Sequence, residues 1–173
     1  MKYIIFFLAF SAFFSVTRAQ YNPEKRLKEL NITLPEMTKP VANYVKYVKT
    51  GNLVFLSGHG PKNEKGEDIR GKVGSAVTVE YGYNAARACA IQLLSTLKDA
   101  VGGDLKKVKR IVKVLGMVNC TPDFGDQPKV MNGCSDLLVE VFGERGKHAR
   151  SAVGMNALPN DITVEIELIV EVE

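Results

Sequence analysis

Arg150 is the residue whose surroundings point most directly to chemistry, because it enters an apolar strand pattern and small residues follow it, from Ser151 to Gly154. A guanidinium on a strand with small neighbours can offer a rigid, bidentate site for a carboxylate or a phosphate. The alternative is an internal ion pair with a glutamate of the last strand, since a charge within an apolar run is usually neutralised. The residues alone leave both roles open.

Glu165 and Glu167 form the second candidate. They are two residues apart in an alternating segment, so they lie on the same face of a strand. A carboxylate at the mouth of a cleft can hold a water molecule or act as an acid–base group. Alternatively, both glutamates solvate the exposed face of a sheet.

A glycine-rich segment, residues 57–61, is the third candidate and follows a predicted strand. Gly58 would let the backbone approach a ligand closely, and His59 could titrate near neutral pH. A plain tight turn is the alternative. The segment lacks the longer glycine spacing and the lysine of a phosphate-binding loop.

Two tyrosines, Tyr44 and Tyr47, are three residues apart on a predicted strand and therefore point to opposite faces. One would lie in the core and the other would have a free hydroxyl. His148 precedes Arg150 by two residues, but no nucleophile–base–orienter set surrounds it in the sequence. The sequence contains no metal motif and no dinucleotide fingerprint, so no cofactor is expected.

An α+β arrangement must position these residues. Strict alternation in the last segment predicts a sheet with one face on helices and the other facing water or another subunit. The order of elements predicts a mixed sheet packed on two helices and excludes a doubly wound fold. We expect a short helix at 24–30, strands at 42–48, 53–56, 110–118, 150–155 and 162–172, and longer helices at 79–101 and 128–142.

The 173-residue length suggests one folded domain, and residues 1–19 have the pattern of a cleavable signal peptide cut after Ala19. We therefore expect a secreted or periplasmic protein, with a polar leader at 20–40 and the domain at 41–173. Loss of Lys2 and Arg18 would lower the formal net charge from +4 to +2. That charge predicts no nucleic-acid partner, and no membrane association is expected after cleavage.

The three cysteines are widely spaced and do not indicate a disulfide scaffold. Cys89 and Cys134 fall on predicted helices, where a cysteine usually behaves as a small buried apolar residue. A disulfide between Cys120 and Cys134 remains open at this stage.

The last 25 residues, ARSAVGMNALPNDITVEIELIVEVE, resemble the closing signature of the Rid family, the reactive intermediate deaminases, also called YjgF-like or L-PSP endoribonuclease proteins. The shared features are an Arg-Ser opening, a Leu-Pro turn and a Val-Glu-Ile-Glu strand. The strand GNLVFLSGHGP and the helical segment VMNGCSDLL extend the resemblance over residues 41–173. The resemblance implies the chorismate-mutase-like α+β fold and a homotrimer with three clefts between subunits.

The resemblance also implies roles for individual residues. Arg150 would bind the substrate carboxylate, and Glu165 would position the water that attacks an imine. The residues implied to line the cleft are Tyr44, Ser57, Gly58, His59, Asn132, Ala152 and Gly154. Two positions depart from the deaminases, because Ala152 replaces their frequent cysteine and His59 their frequent glutamine. The stretch from Leu138 to Gly154 looks more like a branch of the family that carries a chorismate-mutase-like label.

The function implied is the hydrolytic deamination of small 2-imino or enamine acids. The alternative is a non-catalytic trimeric protein that binds a small carboxylate. The ribonuclease activity associated with some relatives finds little support in a near-neutral chain without a stripe of aromatic and basic residues.

Overall fold

A five-stranded mixed sheet lies against two long helices in the computed structural model, which describes residues 21–37 and 43–173. The predicted signal peptide and its cleavage site lie outside the described residues. The helices and strands, in chain order, are α1 Pro23–Glu29, β1 Tyr47–Thr50, β2 Leu53–His59, α2 Val79–Ala100, β3 Val108–Asn119, α3 Gln127–Phe142, β4 Ala149–Met155 and β5 Val164–Val172. The predicted order of elements and the α+β class are confirmed.

The last strand in the chain, β5, lies in the middle of the sheet, whose order is β1-β2-β5-β3-β4. It pairs antiparallel with both β2 and β3, whereas β3 and β4 are parallel and are connected through α3. Helix α3 is therefore a crossover that packs onto the sheet beside β4. This topology places Arg150 on an edge strand and Glu165 on the central one.

The two long helices begin and end at the residues that their sequences favour. Helix α2 is capped by Thr78, whose side chain accepts a hydrogen bond from the backbone N–H of Tyr81 at 3.1 Å. Two glycines with positive φ, Gly102 and Gly103, follow its end. Helix α3 has a proline in its first turn and stops at Gly143, which also has a positive φ. Both predicted helices are confirmed to within one or two residues.

The alternation of β5 divides the sheet into two unlike faces. Val164, Ile166 and Leu168 are buried against the helices, whereas Glu165 and Glu167 point to the opposite face, here called the open face. The predicted alternation is confirmed. Its predicted start at residue 162 was two residues too early, because Ile162 and Thr163 lie before the strand and both are buried.

Strand β1 is the least accurately predicted element. It runs from Tyr47 to Thr50 in the structure, whereas residues 42–48 were expected to form it; residue 42 lies outside the described part. Tyr44 is 50% exposed and precedes the strand, so the two tyrosines do not share it. The reason is that β1 is an edge strand, whose ladder pairing with β2 covers only the four residues next to the turn at Gly51.

The part expected to be a leader contributes to the core. Leu27 of α1 is buried, and the hydroxyl of Tyr21 donates to the backbone oxygen of Glu140 at 2.7 Å. All three cysteines are buried and free, so the disulfide that the sequence left open is not formed.

Helices α2 and α3 approach closely at Gly133. A Cβ atom at this position would overlap the backbone oxygen of Tyr83 on α2. Only the absence of a side chain permits this crossing, because a backbone oxygen cannot rotate away as a flexible side chain can.

We expect Gly133→Ala to lower the free energy of unfolding by about 1–3 kcal/mol through overpacking, and Tm by about 3–8 °C. Helix propensity alone predicts the opposite sign, since alanine favours a helix by about 1 kcal/mol over glycine. Thermal denaturation followed by circular dichroism measures the change. Gly125→Ala is the control, because a Cβ there meets nothing within 4 Å. A Gly133→Ala protein as stable as the original would contradict the close crossing.

Candidate functional site

The guanidinium of Arg150 lies on the helix-facing side of the sheet and is held by α3. Its Nη1 donates to Asn132 Oδ1 at 3.0 Å and to Ser135 Oγ at 2.9 Å, and its Nη2 donates to the backbone oxygen of Pro128 at 3.3 Å. All three acceptors are neutral. The helix thus orients the cation without cancelling its charge.

Arg150 forms no ion pair with any residue that the structure describes. The alternative of a pair with a β5 glutamate is wrong, because Glu165 and Glu167 project from the other face of the sheet. An arginine has five N–H donors, and the three bonds to α3 leave Nε–H and one Nη2–H for a ligand. A half-buried cation held this way is suited to bind a carboxylate.

Ala152 and Gly154 follow Arg150 along the same face of β4. Next to them is a cavity of about 280 Å³, whose lining includes Phe124, Gln127 and Gly154. A Cβ atom at Gly154 would lie 2.8 Å from Gln127 Nε2, so glycine keeps this space open. Of the predicted residues, the structure brings Asn132 into contact with Arg150 and places Ala152 next to Arg150 on the same face of β4, whereas Gly154 lines the cavity of about 280 Å³, to which Arg150 does not contribute.

Glu165 belongs to a second group of residues, on the open face. Its register partner on β3 is Met117, and its carboxylate lies against Gly58, where a Cβ atom would overlap Glu165 Oε1. Burial, and secondly the negative charge of Glu167, raise the pKa of Glu165 above its usual value. A carboxyl group with a raised pKa can exchange a proton nearer to neutral pH than an ordinary glutamate.

The predicted segment 57–61 is divided between the two faces by an irregularity in β2. The register with β5 shifts between Leu56 and His59. This bulge leaves Gly58 on the open face, and the ring of His59 is buried on the helix side, where Nε2 lies 2.8 Å from Thr96 Oγ1. His59 ends a strand rather than forming a tight turn. Burial lowers the pKa of its imidazole below the usual value on which the sequence-based expectation rested, and so favours the neutral ring.

Tyr44 lies apart from both groups. It precedes β1, which is the edge strand opposite to β4, and half of its side chain is exposed. Within one chain it therefore cannot contact a ligand held by Arg150.

The open face carries an apolar surface that sequence reasoning did not include in the site. Val48, Phe55 and Val153 are exposed there by 54%, 40% and 40%. Val48 and Phe55 line a depression of about 450 Å³, together with Leu115, Ile169, Lys113 and Glu167. Val153 lies on the same face outside this lining. Large apolar side chains gathered on one exposed face are typical of interaction sites. The signal in the sequence was Phe55, which alternates with the buried residues Val54 and Leu56.

Sequence reasoning noted His148 near Arg150 but missed Ser135, which joins the two. Ser135 Oγ is within hydrogen-bond distance of both His148 Nε2 (3.0 Å) and Arg150 Nη1 (2.9 Å). The available signal was helical spacing, because Ser135 follows Asn132 by three residues and so shares its face of α3.

The two groups of candidate residues are separated by the thickness of the sheet. Arg150 pairs with Val114 and, through it, with the buried Leu168, so it belongs to the helix-side rows. Glu165 pairs with Met117 and, through it, with the exposed Val153. Arg150 and Glu165 therefore cannot act on one small ligand within a single chain.

In residues 21–37 and 43–173, no three His, Cys, Asp or Glu side chains gather as a metal site would require. None of the helices in this same part is long and apolar enough to cross a membrane.

Comparisons with known proteins agree with the fold. Residues 24–172 match the family described as "YjgF/chorismate mutase-like, putative endoribonuclease". The chain is 47% identical to protein TCP17 of Trypanosoma cruzi over 84% of this chain and 91% of that protein. It is 31% identical to the 2-iminobutanoate/2-iminopropanoate deaminase of Dermatophagoides farinae, over 82% and 95% respectively. A crystal structure of a protein of unknown function from Agrobacterium tumefaciens is similar, with a TM-score of 0.81 and 43% identity over 89% and 96%.

We expect Glu167→Gln to lower the pKa of Glu165 while leaving it above the usual value, because burial is the larger cause of the shift. An NMR titration of the glutamate carboxyl carbons measures this pKa. Since the folded pKa exceeds the unfolded one, stability decreases as pH rises between the two values, and the decrease should be smaller in the variant. Glu171→Gln is the control on the same strand. An unchanged Glu165 titration in Glu167→Gln would contradict the electrostatic cause.

Proposed function

This chain belongs to the YjgF/chorismate mutase-like family, and we propose that it hydrolyses small 2-imino acids at a site shared between two subunits. The observation that carries the proposal is the guanidinium of Arg150, which α3 orients through three neutral acceptors and which has no carboxylate partner in the described residues. Such a cation favours an anionic ligand, and a 2-imino acid presents a carboxylate next to its reactive carbon.

In this proposal, Arg150 anchors the carboxylate and thereby fixes the adjacent imine carbon in the site. A water molecule held by Glu165 attacks that carbon, and its oxygen forms a bond as the C=N double bond becomes single. Glu165 accepts one proton from the water and returns it to the nitrogen, which gives a tetrahedral carbinolamine. Glu165 then takes the proton of the carbinolamine hydroxyl and delivers it to the amino nitrogen, so that the C–N bond breaks, the C=O double bond forms and ammonia leaves. The product is a 2-oxo acid, and the reaction consumes one water molecule without any change of oxidation state.

The proposal requires a second subunit, because Arg150 and Glu165 project from opposite faces of the sheet. The apolar open face supports such an assembly, since Phe55 and Val48 would be covered by a neighbouring copy. We infer a homotrimer, in which the open face of one copy meets the β4 edge of the next. Each site then combines Arg150 of one chain with Glu165 of its neighbour.

A second candidate function is the binding of a small carboxylate without turnover. Ala152 favours it, because this position carries no thiol or other reactive group, and Glu165 has no hydrogen-bond partner among the described residues to orient it. Arg150 would then serve binding alone.

We expect Arg150→Ala to weaken substrate binding by about 10–100-fold, because a charge-assisted contact is lost. Glu165→Gln should lower kcat by about 10²–10⁴-fold with little change in binding, because it removes the proton acceptor. Hydrolysis can be followed with two- to six-carbon 2-imino acids generated in situ by an amino-acid oxidase. Lys28→Ala, which removes an exposed cation of α1 outside both groups of candidate residues, is the control. Carboxylate binding without turnover of any imine would favour the second candidate function.

Mixing the two impaired variants, assayed at substrate concentrations far below KM, tests whether the site is shared. Random co-assembly of Arg150→Ala and Glu165→Gln subunits should restore about one quarter of the sites, since some interfaces pair an intact arginine with an intact glutamate. The variants would be unfolded, mixed and refolded together, with light scattering to verify a trimer. Each variant refolded alone is the control. If mixed trimers are no more active than the two variants refolded alone, the proposal of a shared site is wrong.

A further inference from the structure

We propose that His148 couples the uptake of a proton to the binding of a carboxylate at Arg150. In this role His148 is a positioning residue, since it contacts the anion site only through Ser135. The inference rests on the proposed function to the extent that Arg150 binds an anion, but it does not depend on turnover.

A continuous chain of hydrogen bonds joins His148 to Arg150. His148 Nδ1 lies 2.6 Å from the backbone oxygen of Gly146, and His148 Nε2 lies 3.0 Å from Ser135 Oγ. The same serine oxygen lies 2.9 Å from Arg150 Nη1. Three elements therefore contribute to one network, namely the turn before β4, helix α3 and β4 itself.

The partners in this chain determine where the protons are. A carbonyl oxygen can only accept, so Nδ1 carries a proton that it donates to Gly146. In the neutral imidazole Nε2 is then an acceptor, so the hydroxyl of Ser135 donates to His148 and accepts from Arg150. Ser135 thus has a defined orientation that depends on the neutral form of His148.

A proton on His148 Nε2 reverses this arrangement. Two cations, the imidazolium and the guanidinium, would then donate to Ser135 Oγ, and their nitrogens would lie within about 6 Å of each other. Burial and, to a smaller extent, the charge of Arg150 lower the pKa of His148. In the free protein Arg150 therefore helps to keep His148 neutral.

The other charged groups on the surrounding elements are engaged elsewhere. On α3, Asp136 accepts a hydrogen bond from Tyr83, Glu140 pairs with Arg87, and Lys129 pairs with Asp126. In the turn before β4, Glu144 pairs with Lys147, and Arg145 donates to the backbone oxygen of Val108. On β3, Lys113 donates to Ser151 on the open face. The buried thiol of Cys134 has its pKa raised to about 12 and stays neutral. Arg150 is thus the charged group that shares a hydrogen-bond partner, Ser135, with His148 and lowers its pKa.

A carboxylate at Arg150 would offset the cation that opposes protonation. The pKa of His148 should therefore rise on binding, and by reciprocity the affinity must increase when His148 is protonated. We expect a rise of about 0.5–1 pKa unit, which corresponds to about three- to tenfold tighter binding on the acidic side of the transition. The increase develops as pH falls through the pKa of His148, which lies below its usual value of 6.5.

The experiment is an NMR titration of the imidazole nitrogens, from pH 4 to 8, without and with saturating pyruvate as the carboxylate probe. The chain has only two histidines, so both rings can be followed in one spectrum. His59 is a built-in control, because it has the same pair of contacts, a carbonyl two residues earlier and a helix hydroxyl, but its pKa has no contribution from an arginine. The Glu165→Gln protein is used so that this carboxyl cannot contribute.

The expected result is a higher pKa for His148 in the pyruvate-bound protein and an unchanged pKa for His59. In parallel, the Kd of pyruvate for the Glu165→Gln protein should decrease as the pH is lowered. This pH dependence should disappear in the double variant that also carries His148→Gln. Pyruvate binding that depends on Arg150 but leaves the pKa of His148 unchanged would overturn the inference and leave the proposed function standing. If pyruvate fails to bind at any pH, the anion site itself is wrong, and the inference falls with it.

Discussion

The rest of the structure depends on the register of β5, the central strand. Its apolar residues, such as Ile166 and Leu168, are buried on the side of the sheet that packs against α2, and this burial determines which face every neighbouring residue occupies. A shift of one residue would move the glutamates into the core and the apolar side chains into solvent. The position of Glu165 on the open face therefore follows from the hydrophobic burial of its neighbours rather than from any contact of its own carboxylate.

The half-buried guanidinium of Arg150 is oriented by neutral hydrogen-bond acceptors and has no counter-ion among the described residues. Burying a charge is costly unless it is neutralised or well hydrogen-bonded. Here α3 supplies amide, hydroxyl and backbone oxygens, which satisfy three donors without a counter-ion. A carboxylate partner would have neutralised the guanidinium and would have competed with any anionic ligand. The neutral acceptors keep the cation in place and leave its charge for a ligand.

The same sheet that positions both groups also separates them. Arg150 lies on the helix side of an edge strand, and Glu165 lies on the open face of the central strand. A single chain thus has an anion-binding half and a carboxylate-bearing half that do not face each other. The exposed apolar residues around Phe55 fit the same conclusion, because the surface that would join two copies also carries Glu165 and Glu167. Chemistry that uses both residues would therefore arise only on assembly.

The sequence alone determined the order of elements, both long helices, the alternation of β5 and the choice of Arg150 and Glu165 as candidates. These features have local causes, namely apolar periodicity, helix caps and glycine stops, which can be recognised within a short window. The burial of His59, the exposure of Tyr44, the hydrogen bonds from α3 to Arg150 and the role of Ser135 between Arg150 and His148 were decided only by the tertiary structure. Each depends on which strands are neighbours and where β2 bulges, and such pairings join residues far apart in the chain that no local pattern specifies.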